Sequence, residues 1–446
     1  MPTQSQHFLH RFRNSWKFIL ATILVLPLLK WLFLIPFDAR FSTFPSVARS
    51  LGQVTGIVGT LLFSFSLILS FRNRITETVF GGLDKLYRIH HLSGMYGLFL
   101  LLLHPLLLSI PKITYSVEDA MTFFTPFQTS TAVDFGIFSV IAFMVLIGGT
   151  LFGVIFSYQA LKKFHMFLGV AFLLGAVHGF LIPSDIQRDT FIRVWVLGFV
   201  FLGLCSYVIY SLLKRFTIRK KLFKVSSVKK VIGGITEISL TSQGEGVTHL
   251  PGQFGFFSFI NSKVVPNEPH PFTISSWEGN GDVRISAKNL GDFTSLLPSE
   301  SVGTLVNMEG PFGEFSYGYA GNKQVWVAGG VGVTPFVSFV EHILKQKELL
   351  VDIDFFYSVR TKDDRAYHEL FSSAANLYPT FRYYPMASDT DGFITGQLLV
   401  DKVPDIFIRD IFICGSPPMM KSLISSLTSL GIRSKHIHSE LFSLLK

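Results

Sequence analysis

The sequence predicts a multidomain chain: a six-helix all-α transmembrane bundle, then an antiparallel β-barrel domain, then an α/β nucleotide-binding domain. Three observations carry this. The first half holds six long apolar stretches. Short alternating runs broken by Gly, Pro and Asn come next, and from Val325 onward strands alternate with Gly-rich turns and helical stretches. Composition agrees, because hydrophobic residues make up 49% of the 446 and charged residues 15%, with a mean hydropathy of +0.44. A soluble domain carries about a quarter charged residues, so part of this chain belongs in lipid.

The apolar stretches run over residues 18–37, 47–71, 90–110, 135–156, 166–182 and 191–213. Each is near the ~20 residues that a helix needs to cross a bilayer core. The first is too long and too late for a signal peptide, and Lys30 within it reads as snorkelling to the outer interface. The net charge of +9 does not imply nucleic acid, because the excess lies beside the apolar stretches. Arg11, Arg13, Lys17, Arg72, Arg74, Lys85, Arg88, Lys162, Lys163, Lys214, Arg215, Arg219, Lys220 and Lys221 fall on one side. The opposite loops are sparse or mixed, with Arg40, Lys112, Glu118, Asp119, Asp185 and Asp189. The positive-inside rule then puts both termini in the cytoplasm. Two isolated cysteines, Cys205 and Cys414, form no disulfide framework and fit a reducing, cytosol-facing soluble portion.

Past Phe216 the runs 237–241, 254–259 and 283–287 alternate as barrel strands do. Strands at 325–328, 352–358 and 411–414 then each precede a helical stretch. The basic stretch 214–224 is the natural junction.

Four histidines lie in or beside the third and fifth stretches: His90 (with His91 next to it), His104, His165 and His178. An ionisable side chain in a membrane helix is costly and marks a functional site, and imidazole is an axial ligand of haem iron. His90 and His104 are fourteen residues apart, about 21 Å along a helix. His165 and His178 are thirteen apart, about 19.5 Å. Both stretches cross in the same direction, so the histidines define two levels: His90 with His165 near the cytoplasm, and His104 with His178 near the outer face. Thirteen residues miss a common helix face by ~140°, which predicts either a distortion of the fifth helix or an irregular start at His165. His90 matches the helical phase of His104 better than His91 does.

In His270-Pro271-Phe272-Thr273-Ile274-Ser275-Ser276 the hydroxyls of Thr273, Ser275 and Ser276 are candidates to bind a flavin, against the plainer reading of a hydroxyl-bearing strand. Gly291-Asp292-Phe293-Thr294 offers a turn opening a helix, whose free N–H groups suit a pyrophosphate. Glu309-Gly310-Pro311-Phe312-Gly313 is a turn by composition. Gly329-Gly330-Val331-Gly332-Val333-Thr334-Pro335 follows an apolar strand, so its backbone can approach a phosphate at a helix N-terminus. Arg360, after Tyr357-Ser358-Val359, is placed either for a 2′-phosphate, favouring NADPH over NADH, or as a solvated charge. Cys414, ahead of Gly415-Ser416-Pro417, either approaches a nicotinamide or is a small buried residue.

In this order the motifs resemble the NADPH oxidase and ferric reductase superfamily over nearly the whole chain. The resemblance implies a ferric-reductase-like transmembrane domain with two haems (1–216), an FAD-binding barrel (217–321) and an NAD(P)H-binding α/β domain (322–446). It implies two b-type haems on His90/His165 and His104/His178, and flavin contacts from His270, Pro271, Phe272, Thr273 and Ser276. It further implies the FAD pyrophosphate at Gly291, Asp292 and Thr294, and the nicotinamide nucleotide at Gly330, Gly332, Thr334, Pro335, Cys414, Gly415 and Pro417. Phe442 is the aromatic that would stack on the isoalloxazine, although four residues follow it where the family's animal oxidases end. With no calcium-binding extension, the chain reads as a compact bacterial member. Leu108 stands where the animal superoxide producers carry a further histidine.

The implied function is electron transfer from cytosolic NADPH (or NADH) through FAD and two haems to a one-electron acceptor outside, either dioxygen or a ferric or cupric chelate. The alternative is an electron-donor subunit whose outer loop, 111–133, docks an extracytoplasmic redox protein. A haem-binding sensor would have no use for a hydride-donor module. The expected location is the plasma (inner) membrane, multi-pass, with the lipid bilayer as a partner and nucleic acid excluded.

Overall fold

The computed structural model describes residues 15–71, 74–151, 158–211, 213, 220–277, 279, 281–347 and 349–440. Within these, one compact unit holds residues 15–76 and 85–213, and the other holds 77–84 and 220–440.

The first unit is built from helices α1 (Trp16–Leu32), α2 (Phe44–Leu69), α3 (Leu83–Ile113), α4 (Thr131–Leu151), α5 (Tyr158–Leu181) and α6 (Thr190–Ser211). The five helices α2 to α6 are long and apolar enough to cross a membrane. Helix α1 has 17 residues, about 25 Å at 1.5 Å per residue, and stops before the expected stretch 18–37 ends. Pro36 keeps the helix from running on through the stretch, since the residue before it, Ile35, is driven out of helical conformation. A separate short helix, Phe37–Phe41, follows.

Apolar side chains cover the outside of this unit as well as its inside. Val145, Val194 and Phe201 are 63%, 67% and 66% exposed, an arrangement that water penalises and lipid does not. Inside, Phe63 stacks on Phe172 at 4.8 Å and meets Phe143 edge-on at 5.4 Å, with Leu67 and Val200 beside them. Helix α1 is tied in by polar contacts. The fully buried Arg40 donates to Asp185 (3.2 Å) and to the Trp31 carbonyl (2.6 Å). Trp31 Nε1 donates to the same carboxylate at 3.1 Å. A buried charge needs this pairing, because removing one partner would strand the other. Lys30 reaches Asp189 at 3.4 Å while staying half-exposed, as a snorkelling lysine does.

The second unit contains two sheets. The first is antiparallel, in the order β4-β3-β6-β1-β2-β5, formed by β1 (Lys221–Val231), β2 (Ile235–Ser242), β3 (Phe254–Phe259), β4 (His270–Thr273), β5 (Val283–Lys288) and β6 (Leu305–Phe312). Its two edges meet through the bridge Ile274–Ile285, which curls the sheet toward a barrel. The segment from Glu309, read from its glycine and proline as a turn, is instead strand through Phe312, because Phe312 pairs with Phe254. The turn comes one residue later, at Gly313, whose φ is +105°. Helix α7 (Asp292–Leu296) follows β5.

The second sheet is parallel throughout, in the order β11-β10-β7-β8-β9. Its strands are β7 (Lys323–Gly329), β8 (Asp352–Val359), β9 (Phe381–Ala387), β10 (Asp410–Cys414) and β11 (Ile437–Glu440). Helices α8 (Thr334–Gln346) and α9 (His368–Leu377) connect one half, and α10 (Gly396–Lys402) and α11 (Pro417–Ser429) the other. Phe336, Phe339 and Ile343 of α8 pack with Phe371 of α9 in one core. Leu399 of α10 packs with Met420, Leu423 and Leu427 of α11 in another. The sheet is therefore covered on both faces, which is why β7 reads as an unbroken apolar run. Trp326, fully buried on β7, satisfies its indole N–H on Gln324 at 2.8 Å.

His342 of α8 is buried beside Trp277 and accepts the Tyr317 hydroxyl. Burial, assisted by nearby His249, pulls its pKa down to about 4. The folded state thus holds it neutral where the unfolded chain would protonate it. The stability it supports is complete above about pH 6.5 and is lost as pH falls toward 4. We expect the melting temperature to drop over that window, and His342→Gln, which retains an acceptor, to flatten the drop.

Candidate functional site

The order of the parallel sheet reverses between β7 and β10, and a crevice at the carboxyl ends of such strands is where α/β folds bind nucleotides. Gly330 sits there at φ +54°, a conformation that suits glycine. Gly332 lies so close to β10 that a Cβ on it would be 2.4 Å from the Cys414 carbonyl oxygen. The turn ends in α8, where Thr334 Oγ1 donates to the Val331 carbonyl (3.1 Å) and Pro335 occupies the first turn. Gly330, Gly332, Thr334, Pro335, Cys414 and Gly415 are thereby gathered at one place, with Pro417 opening α11 beside them. Cys414 is fully buried, and burial pushes its thiol pKa well up, so it stays protonated. Arg360 is exposed just past the end of β8, the strand next to β7.

The flavin candidates lie on the antiparallel sheet. His270 of β4 stacks on Phe293 of α7 at 3.6 Å between ring centres, so the His270–Thr273 strand and the Gly291–Thr294 turn adjoin. Phe272 packs into the barrel core, and Pro271 pairs with Phe256. Burial lowers the His270 pKa, partly offset by Glu268. Thr273 Oγ1 is buried and has no hydrogen-bond partner among the described residues. Ser275 and Ser276 differ. Ser275 Oγ donates to the Arg284 carbonyl (3.1 Å) and meets Ser286 (2.8 Å), and Ser276 Oγ accepts the Arg284 N–H (2.9 Å). The Ser275 hydroxyl is thus engaged as donor within the barrel, whereas Ser276 Oγ only accepts among the described residues, which leaves its O–H for a ligand. Thr294 Oγ1 is also engaged, accepting the N–H groups of Leu290 (3.0 Å) and Gly291 (3.1 Å). Helix α7, with Asp292 in its first turn, is five residues long. Its dipole is correspondingly small, so the expected helix-terminus attraction for a pyrophosphate is weak here.

In the helical unit the four histidines meet as two pairs. The rings of His90 and His165 are 6.0 Å apart, and those of His104 and His178 are 6.4 Å apart, with planes crossed at 69° and 68°. Helix α5 is unbroken across both of its histidines, and His165 lies well inside it, so the expected distortion or irregular start is absent. The rings meet because an imidazole reaches several ångströms from a backbone cylinder of about 2.3 Å radius, enough to absorb the phase mismatch. His104 Nδ1 donates to the Gly52 carbonyl and His178 Nδ1 to the Ala132 carbonyl, both at 2.7 Å. His90 Nδ1 donates to the Ser66 carbonyl at 2.8 Å. These acceptors select the Nδ1–H tautomer and leave Nε2 with its lone pair. Phe63 and Phe172 occupy the core between the two levels.

Two family models match the chain. Residues 55–177 match the ferric reductase like transmembrane component, and residues 326–424 match the oxidoreductase NAD-binding domain. In that order the two matches fit the NADPH oxidase and ferric reductase superfamily.

The reductase half of the chain is similar to several curated oxidoreductases. It is 32% identical over 152 residues to the glycine betaine monooxygenase reductase subunit of Chromohalobacter salexigens, covering 32% of this chain and 41% of the relative. It is 28% identical over 212 residues to the flavohemoprotein of Rhizobium meliloti, covering 43% and 52%. It is 24% identical over 184 residues to NADH-cytochrome b5 reductase 1 of Mortierella alpina, covering 39% and 61%. The chain thus spans between two and three fifths of these relatives' lengths. The matched domains and reductase relatives support an NAD(P)H-dependent oxidoreductase with a flavin module, and the five apolar helices with the ferric reductase match suggest a multi-pass membrane protein.

The residues of this ferric-reductase-type protein suit these cofactors. The unpartnered Thr273 hydroxyl suits a polar edge of a flavin. Two metal–nitrogen bonds of about 2 Å plus the depth of two imidazoles come to roughly 6 Å, the separation seen in both pairs. Among the described residues no three His, Cys, Asp or Glu side chains converge as a metal site. Phe442 lies outside the described residues.

Three features were not apparent in the sequence. Met419 lies in the switch-point crevice, its sulfur where a Cβ on Gly329 would be 2.3 Å away. Glu440, buried on β11 and raised in pKa by that burial, accepts the Cys414 thiol at its carbonyl (3.8 Å). Glu77 accepts the Gly313 N–H at 2.6 Å, and Thr78 donates to Glu314 at 2.8 Å. Nothing local in the sequence marks these residues, because each depends on a neighbour distant in the chain.

Gly332→Ala must move the β10 backbone. We expect it to destabilise the C-terminal unit by about 1–3 kcal/mol and to slow flavin reduction by NADPH, with reduction by dithionite unchanged. Denaturant unfolding and anaerobic flavin absorbance would measure the two effects.

Proposed function

We propose that this protein carries electrons from cytosolic NADPH, by way of FAD and two b-type haems, across the membrane to a one-electron acceptor on the outer face. The observation that carries the reading is the pair of matched histidine levels, with rings about a haem's axial span apart and Nδ1–H donated to helix carbonyls. In it, His90 and His165 hold the inner haem, and His104 and His178 the outer. FAD when bound turns a two-electron donor into single electrons, which haem iron carries. The chain's own work is placement. Helix carbonyls orient the imidazoles, and Phe63, Phe143 and Phe172 keep water from the space between the levels. At the nucleotide crevice, Gly330 and Gly332 admit the phosphates and Cys414 stays neutral beside the nicotinamide. In this reading the basic loops and both termini face the cytoplasm, and the membrane is the plasma (inner) membrane. In this topology α1 makes the sixth crossing. The acceptor is dioxygen or a ferric or cupric chelate.

A second reading, an electron-donor subunit for an extracytoplasmic redox protein, draws on the segment between α3 and α4. Its short helix Val117–Phe124 leaves Val117 and Met121 68% exposed, and Phe127 just beyond is 81% exposed. An apolar patch of this kind fits a protein partner.

Anaerobic absorbance of the purified, FAD-loaded protein decides the main reading. NADPH should raise a sharp reduced b-type haem band, and His104→Ala and His178→Ala should each retain about half the haem. Protein without haem, or haem reduced only by dithionite, would sink it. Admitting air or a ferric chelate then identifies the acceptor, and slow reoxidation by both would favour the donor-subunit reading.

Arg360 is assigned to the 2′-phosphate of NADPH. Arg360→Ala should raise KM for NADPH about tenfold or more, the worth of a charge-assisted contact, with KM for NADH unchanged. Equal effects on both nucleotides would remove the assignment.

A further inference from the structure

The outer histidine pair is seated by the same device on two different helices. On α2, the Gly52 carbonyl accepts His104 Nδ1–H, and four residues on is Gly56. A Cβ at Gly56 would lie 2.7 Å from His104 Nδ1 and 2.9 Å from Cε1, inside van der Waals contact. On α4, the Ala132 carbonyl accepts His178 Nδ1–H, and four residues on is Gly136. A Cβ there would lie 2.9 Å from His178 Nδ1 and 3.2 Å from Cγ and Cε1. In each case one helical turn supplies both the carbonyl and the gap. The carbonyl at position i already takes the N–H of i+4, so an approaching ring must pass over residue i+4. Only a residue without a side chain leaves that path open.

At the inner level, His90 is seated differently. His90 donates to the Ser66 carbonyl, the Ser66 hydroxyl stands 3.1 Å from Nδ1, and Ser70 occupies the fourth position on. A hydroxyl, rather than a gap, meets the ring.

The geometry points to Gly56 and Gly136 as positioning residues for the outer haem: each forms a socket that locks its imidazole against rotation and aims Nε2 at the partner ring. This rests on the haem reading above. A ligating histidine's second nitrogen sets its orientation and basicity, so a methyl group in the socket must push the ring off its carbonyl. The inner haem does not depend on either socket and serves as an internal reporter of folding.

The test is electron paramagnetic resonance of the oxidised, purified protein, with haem content measured alongside. Wild type should show two low-spin ferric haems. Gly56→Ala and Gly136→Ala should each shift one low-spin signal, convert it to high spin or abolish it, and leave the other unchanged. Gly198→Ala on α6, where a Cβ would meet nothing within 4 Å, should leave both signals intact. Two unchanged signals in both socket variants would overturn the proposal while the haem reading stands. Wild type without haem would instead overturn that reading. If a socket variant does not accumulate, Gly56→Ala is combined with His104→Ala, and Gly136→Ala with His178→Ala. Recovery to the level of the histidine variant alone supports the socket, since no ring remains to collide. Continued failure in both doubles would show that the glycines serve helix packing and would overturn it.

Discussion

A buried imidazole cannot leave its N–H unsatisfied in a bundle that offers no water. In this protein the donors His90, His104 and His178 turn to carbonyls of neighbouring helices, at Ser66, Gly52 and Ala132. Those carbonyls are already within helices, so the rings must come close to the backbone. That closeness fixes which helices adjoin, which residues must be small, and which nitrogen stays available. The arrangement of α2, α3, α4 and α5 follows from seating the rings, and Phe63, Phe143 and Phe172 fill the space this leaves.

The C-terminal unit meets an analogous demand with glycine. Its parallel sheet is buried on both faces, and the crevice where strand order reverses is where such a fold can offer backbone N–H groups to a phosphate. Gly332 and Cys414 press together across it, and Met419 occupies it. A thioether with three rotatable bonds is a soft filler that can yield to a ligand. An ion pair ties α8 to the antiparallel sheet. Arg284 is paired with Glu237 and Glu341, and Glu341 also accepts the Trp277 N–H at 3.0 Å.

Much of the fold was legible along the chain. Helix positions, the strands at 254–259 and 352–358, and the Gly-rich turn ahead of α8 all follow from periodicity, which local sequence carries. Legibility failed where a distant partner decides. The glycine and proline of Glu309–Gly313 suggested a turn, but Phe254 holds Phe312 in strand. Ser275 offered a hydroxyl to a ligand, but Arg284 and Ser286 take it. The thirteen-residue spacing of His165 and His178 suggested a distorted helix or an irregular start at His165, but α5 is continuous across both. Helix α1 is shorter than its apolar stretch, a result Pro36 foreshadowed.

The sequence by itself determined the class of this protein: an apolar helical half, a reductase half, and four histidines at spacings that match across two helices. These are properties of composition and period, and they survive whatever the chain's neighbours do. Only the tertiary structure decided which hydroxyl is left unpartnered, which ring nitrogen is taken, and why Gly56 and Gly136 are glycines. Each of those depends on contact between residues far apart in the chain, such as His104 with Gly52 and His178 with Ala132. No local pattern encodes such contacts, because a hydrogen bond is set by distance in space and not by distance in sequence.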